Sequence, residues 1–203
     1  MFRKKKIVIF ASGSGTNFIN LNENLIHGEI VLLISNNPNC GAIKYAQNNK
    51  IKFEVINDKI ISDNLDFYYE KILNNYNPDL ILLAGFMKKI PINIVNKYPF
   101  KIINIHPSLL PKYGGKGYYG MKVHEAVINA KETISGATVH FIDGMYDNGP
   151  IIKQAKVTVE DNDDAKTLSK KVLKKEYELY LNVVEMFCCD KIRINENKVI
   201  INE

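Results

Sequence analysis

Lys6-Ile7-Val8-Ile9-Phe10-Ala11-Ser12-Gly13-Ser14-Gly15-Thr16-Asn17 is the stretch that decides the fold. Lys6 to Ala11 is a continuous, β-branched apolar run, as expected of a strand covered on both faces in a parallel sheet. After the glycine-rich turn, Phe18, Leu21, Leu25 and Ile26 recur at helical spacing, and Gly28 is predicted to stop that helix. Such a strand, turn and helix present backbone N–H groups and the positive end of a helix dipole, which suit a phosphate. The third glycine of the dinucleotide fingerprint is absent, because Phe18 stands in its place, and no acidic residue clearly ends the next strand. A monophosphate therefore fits the loop better than NAD.

Working outward, Glu29 to Ser35 reads as a strand and Ala42 to Asn49 as a helix. Lys52 to Ile56 is a short strand, Asn57 to Asn64 has no strong period, and Leu65, Tyr68, Tyr69 and Ile72 mark a helix ending near Asn77-Pro78. Asp79 to Ala84 and Lys101 to His106 are buried strands, the second stopped by Pro107, which lacks a ladder donor. Met121 to Ala130 is a helix, and Ser135 to Ile142 with Ile151 to Val159 form an antiparallel pair. Asp161 to Asp164 cap a long helix running to about Cys188. Lys191 to Asn202 closes as a hairpin about Asn195-Glu196-Asn197. Alternating strands and helices predict a doubly wound α/β fold. Its sheet is mostly parallel, with helices on both faces and an antiparallel strand near the C-terminal part. Ligands then belong beyond the carboxyl ends of the strands.

At 203 residues, 46% hydrophobic and 24% charged, the chain fits a single domain over 1–203. The formal charge of +5 and pI near 8.9 are mild, and the lysines are spread along the sequence. That favours small phosphorylated substrates and argues against nucleic acid as a partner. The three cysteines include the adjacent pair Cys188-Cys189, with no metal-ligand spacing; reduced thiols, no metal and a cytoplasmic location are expected. Arg3 to Lys6 followed by Ile7 to Ala11 is too short a pattern for a signal peptide, and no stretch is long enough to cross a membrane. Monomer and homodimer both fit.

The chemistry concentrates between Lys101 and Pro150. In a strand, side chains two apart share a face, so Asn104 and His106 point the same way at a strand end. Asp147, in the turn set by Asn148, Gly149 and Pro150, reaches His106 if the two strands are neighbours. A histidine titrating near neutrality moves a proton, a nearby carboxylate favours its charged form, raising its pKa, and orients it, and an amide donates to an oxygen that becomes negative. The trio suits acyl transfer without a covalent enzyme intermediate.

Four other features accompany it. Gly85 to Pro91 is an apolar loop that either packs on the following helix or walls a flat ring, with Met87 in soft contact and backbone groups reading ring nitrogens. Lys112 to Gly120, rich in glycine and tyrosine, reads either as a lid or as an ordinary flexible connection. His124 is read as solvent-facing or capping, and His140 as structural. Glu176 falls on the apolar stripe of the long helix and needs a partner, either a lysine or a substrate amine or ribose hydroxyl.

Asn104-Ile105-His106-Pro107-Ser108-Leu109-Leu110-Pro111, with Tyr146-Asp147-Asn148-Gly149-Pro150, resembles the folate-dependent formyltransferases, and the likeness covers nearly the whole chain. The resemblance implies transfer of a formyl group from 10-formyltetrahydrofolate, as co-substrate, to the amine of phosphoribosylglycinamide in purine (IMP) synthesis. It implies Asn104, His106 and Asp147 as catalytic residues. It places the phosphoribosyl substrate on Gly15, Thr16, Asn17 and Glu176. It places the folate on Met87, Lys88, Lys89, Ile90, Asn104, Asp143, Gly144, Met145, Tyr146 and Asp147. Residues 1–100 would hold the acceptor and 101–203 the folate and the chemistry. A family arginine that meets the folate tail has no counterpart near Ser62 to Leu65. A formyl-folate hydrolase or a transferase acting on initiator methionyl-tRNA would keep the trio, but the short chain and the phosphate loop favour the ribotide. A non-catalytic nucleotide-binding module would need the glycine loop without the trio.

Overall fold

The computed structural model describes residues 3–57, 65–196 and 198–202. The comparison made at Ser62 to Asn64, most of the stretch 57–64, and Asn197 of the predicted C-terminal turn lie outside them.

The run from Lys6 forms β1 (Lys5–Phe10), with Ile7, Val8 and Ile9 fully buried. On one side lie β2 (Gly28–Ser35) and β3 (Phe53–Val55), and on the other β4 (Leu80–Leu83), β5 (Ile102–His106), β6 (Ile134–Phe141) and β7 (Ile151–Thr158). The sheet has seven strands in the order β3-β2-β1-β4-β5-β6-β7. The chain thus begins at the centre, winds to one edge and returns to wind the other way. Pairing is parallel from β3 to β5, β6 is antiparallel to β5, and β7 is antiparallel to β6. This is the predicted doubly wound sheet with an antiparallel strand near its C-terminal side. The reversal of order between β1 and β4 opens the crevice in which such folds bind ligands.

Period-two alternation sends side chains to two apolar layers. Ile7, Ile9, Leu33, Leu82 and Ile103 face one core, which takes in Phe18 and Leu21 of α1 (Thr16–Asn24) and Tyr180 and Val183 of α6 (Ala165–Cys188). Val8, Phe10, Leu32, Ile81 and Ile102 face the other, with Tyr69 and Leu73 of α3 (Leu65–Tyr76) and Ile94 of α4 (Ile92–Lys97). Between these, α2 (Gly41–Asn48) follows β2 and α5 (Met121–Asn129) precedes β6. Helix α6 starts at a capping box in which Asp164 accepts from the Thr167 amide and Thr167 Oγ1 accepts from the Asp164 amide. Tyr180 anchors it to the sheet, its hydroxyl lying 3.0 Å from the Leu83 carbonyl and 3.2 Å from that of Ile103.

One helix stop differs from expectation. Helix α1 ends at Asn24, where Leu25 turns to an extended conformation. Gly28 instead opens β2, where a Cβ would lie 2.6 Å from Ile7 Cδ1. Its small size serves packing, not a cap. Strands β8 (Ile192–Asn195) and β9 (Lys198–Ile201) form the expected hairpin. No helix among the described residues is long and apolar enough to cross a membrane.

Candidate active site

A cavity of about 740 Å³ lies where β1, β4 and β5 end; Gly13 to Asn17, Ala84 to Met87, Asn104 to Pro107, Gly115 to Met121, Tyr146, Asp147 and Glu176 are among its walls. A larger hollow of about 920 Å³, lined by Lys4, Lys6, Lys50 and Lys52 among others, contains none of the predicted site residues.

The structure brings Asn104, His106 and Asp147 together. Asp147 sits in a turn with φ +52, a left-handed conformation that aspartate tolerates. The turn lies flat on β6 because Gly149 has no Cβ; one there would come within 2.0 Å of the Phe141 carbonyl oxygen. Asp147 Oδ2 is 3.5 Å from His106 Nδ1 and accepts from the Gly115 amide at 2.9 Å. Asn104 Nδ2 lies 3.4 Å from Asp147 Oδ1 and 3.1 Å from His140 Nε2. The His140 Nδ1 is 2.9 Å from the Phe141 carbonyl. A carbonyl only accepts, so His140 Nδ1 carries a hydrogen toward it, and Nε2 faces the Asn104 amide. The same reasoning at His106, whose Nε2 is 2.8 Å from the Tyr113 carbonyl, leaves Nδ1 as its open position, facing Asp147.

His140 was read from sequence as structural, and it is fully buried. It is also a fourth member of this network, 3.6 Å from Asp147 Oδ1. The signal that reveals it is register: His140 pairs across the strands with Asn104.

Burial is the largest influence on His106 and disfavours its charged form. The Asp147 charge and the Tyr113 carbonyl work the other way without overcoming it, so the pKa lies below 6.5. Asp147 thus acts in the expected direction, but His106 rests neutral. Burial also opposes the Asp147 charge, yet the neighbouring His140, the His106 ring and the Gly115 amide hold its carboxyl below the ordinary value.

His124 corrects the sequence reading. It faces inward, only 5% exposed, and lines the cavity, with its Nδ1 unpartnered among the described residues. Its spacing gave a clue, because Val127 lies three residues on along the same helix face and is buried too. Burial, aided by repulsion from His106, lowers its pKa to about 4. With the folded value below the unfolded 6.5, the unfolded chain takes the proton first. The neutral ring's contribution is whole above pH 6.5 and fades as the pH falls toward 4. Denaturant titrations across that range are expected to show a loss of about 3 kcal/mol that His124→Gln largely removes. A pH dependence identical in the variant would rule His124 out as its source.

At the phosphate loop, Gly15 adopts φ +78 just before α1 and lies 2.7 Å, by a built Cβ, from Ala42 Cβ. Asn17 and Glu176 meet there: Asn17 Nδ2 donates to Glu176 Oε2 at 2.6 Å, and Asn17 Oδ1 has no partner among the described residues. The Glu176 partner is therefore an amide and not a lysine. Burial raises the Glu176 pKa, partly offset by the Asn17 hydrogen bond.

The predicted folate wall is brought to the cavity in part. Met87, Tyr146 and Asp147 line it, and Met87 is 49% exposed. Ile90 is buried in the core beside Ile94 and Ile102. Lys88, Lys89, Asp143, Gly144 and Met145 do not line the cavity. Asp143 accepts from the Met145 amide and from Asn148, which shapes the turn carrying Asp147. Nor is the Met87 amide open to read a ring, since it donates to Ser12 Oγ at 2.9 Å.

Known proteins share this fold. The formyl transferase family model matches residues 5–184. The chloroplastic phosphoribosylglycinamide formyltransferase of Arabidopsis thaliana is 40% identical, over 97% of this chain and 70% of the relative. That of Vigna unguiculata is 43% identical, over 94% of this chain and 63% of the relative. The structure of phosphoribosylglycinamide formyltransferase from Coxiella burnetii superposes with a TM-score of 0.90 at 32% identity, over 98% of this chain and 94% of that one. Since the family model spans β1 to far along α6, and with them every wall of the cavity, the chain belongs to the formyl transferase family.

Proposed function

We propose that the chain transfers a formyl group from 10-formyltetrahydrofolate to the amine of phosphoribosylglycinamide, a step of purine synthesis. The observation that carries this reading is one cavity holding both the Asn104–His106–Asp147 network and the buried Asn17–Glu176 pair with an unused acceptor. The names of the similar proteins support the same acceptor. Gly15, Thr16 and Asn17 take the phosphate, and Glu176 with Asn17 takes the ribose hydroxyl or glycinamide nitrogen. Met87, Tyr146 and the turn 143–147 flank the folate, with Lys88 and Lys89 near its tail and Ile90 supporting the wall from the core. Residues 1–100 thus supply most of the acceptor site and 101–203 the chemistry, as parts of a single domain, with Glu176 crossing the division.

The neutral amine attacks the formyl carbon, and the carbonyl electron pair moves to oxygen. Asn104 gives its amide hydrogen to that oxyanion; the one held by Asp147 at 3.4 Å is weakly engaged and is the one redirected. His106 Nδ1 takes the proton from the attacking nitrogen. The resulting imidazolium is held on both sides, by the Tyr113 carbonyl and the Asp147 carboxylate. It returns the proton to the folate nitrogen as the carbon–nitrogen bond breaks. No step calls for a metal. A cytoplasmic protein, monomeric or homodimeric, is the setting this reading assumes.

Absorbance-monitored release of tetrahydrofolate, with and without phosphoribosylglycinamide, tests it. Release only with the ribotide, at stoichiometry one with formylated product, is expected. Release without the ribotide would identify a hydrolase, and none in either case would leave a binding module.

A further inference from the structure

Ser12 uses all of its polar groups at a junction of three loops. Its amide donates to the Gly85 carbonyl at 3.2 Å, and its carbonyl lies 3.4 Å from Asn37 Nδ2. Its hydroxyl donates to Asn36 Oδ1 at 2.5 Å and accepts from the Met87 amide at 2.9 Å. The side chain is nearly buried, at 9% exposure. These partners belong to the segments that follow β2 and β4, the two strands flanking β1. Ser12 itself begins the glycine loop, and both that loop and Ala84 to Met87 line the cavity.

We infer that Ser12 is a positioning residue that couples the two substrate sites, making binding at the glycine loop and binding at the Met87 wall mutually favourable. The inference rests on the two-substrate reading above. A ligand gripping Gly15 to Asn17 fixes the start of that loop, and the hydroxyl passes the constraint directly to the Met87 amide. The second ligand then meets a wall already ordered, so the shared junction is ordered once for two ligands. The effect is reciprocal by linkage.

Tetrahydrofolate and phosphoribosylglycinamide cannot react with each other, because neither carries a formyl group, so the full chain can be titrated with both. By calorimetry, each is expected to bind about tenfold tighter when the other is saturating, within the range typical of coupled sites. In Ser12→Ala that factor is expected to fall to about two or less, with Ser12→Thr restoring part of it. In turnover both KM values rise while kcat changes little, since no reacting group is touched. A merely structural serine would weaken each single-ligand affinity and leave the ratio alone. A ratio near one in the wild type, or an unchanged ratio in Ser12→Ala, overturns the inference. If melting curves show Ser12→Ala unfolded, the ratio is read in Ser12→Cys, whose thiol is a weak acceptor for the Met87 amide, and must fall there; an unchanged value overturns the inference equally. Transfer activity with unaltered coupling would remove this inference alone. A wild type that neither binds nor formylates the ribotide would remove the proposed function and this inference with it.

Discussion

Replacing His106 by alanine is expected to lower kcat by about 10²- to 10⁴-fold, the usual contribution of a positioned proton carrier. The imidazole is the ring that lies between the Tyr113 carbonyl and the Asp147 carboxylate. Without it, the proton leaving the attacking amine has no positioned acceptor. The substitution also frees a buried carbonyl and leaves the Asp147 charge less compensated, a cost of about 1–3 kcal/mol. That is small against the stability of an ordinary domain, so the variant should fold and bind both substrates. Its single-turnover rate, compared with its folate affinity, is the measurement. A decrease of less than about tenfold would show that the proton travels elsewhere.

Asp147→Asn is expected to keep the fold, because an amide oxygen still accepts from Gly115 and the turn is set by backbone and Gly149. The rate should nevertheless fall by about 10²- to 10³-fold, since the imidazolium loses the charge that stabilises it. The pH profile gives the sharper result. The Asp147 charge raises the His106 pKa against the stronger effect of burial, so removing it lowers that pKa further. If the working form of His106 is neutral, the acid limb of kcat lies below pH 6.5 in the wild type and moves to still lower pH in the variant. The same plateau rate and the same limb in both proteins would separate Asp147 from the proton transfer.

Both predictions rest on residues that were visible as chemistry before any fold was known. Asn104 and His106 stand two apart on a strand that Pro107 ends, and no other arrangement of that strand puts them on different faces. Asp147 was visible through the turn that follows it. Their meeting depended on β5 and β6 being neighbours, which the short run between β6 and β7 does not settle.

What the sequence determined by itself is therefore the order of strands and helices, their buried faces, and the identity of the trio. These follow from local periodicity and from residues such as proline and glycine that restrict the backbone where they stand. The tertiary structure decided the partners. His140 enters the network through cross-strand register, a property of two segments and not of either. His124 turns inward because α5 packs its Val123–Val127 face against the body of the protein. Asn17 finds Glu176 across 159 positions, and Ser12 finds Met87 across 75, in both cases because the winding of the sheet carries distant loops to the same end. Burial has the same origin: it reverses the expected shift of His106, and a desolvation effect of that kind is set by everything packed around the ring, which no single segment encodes.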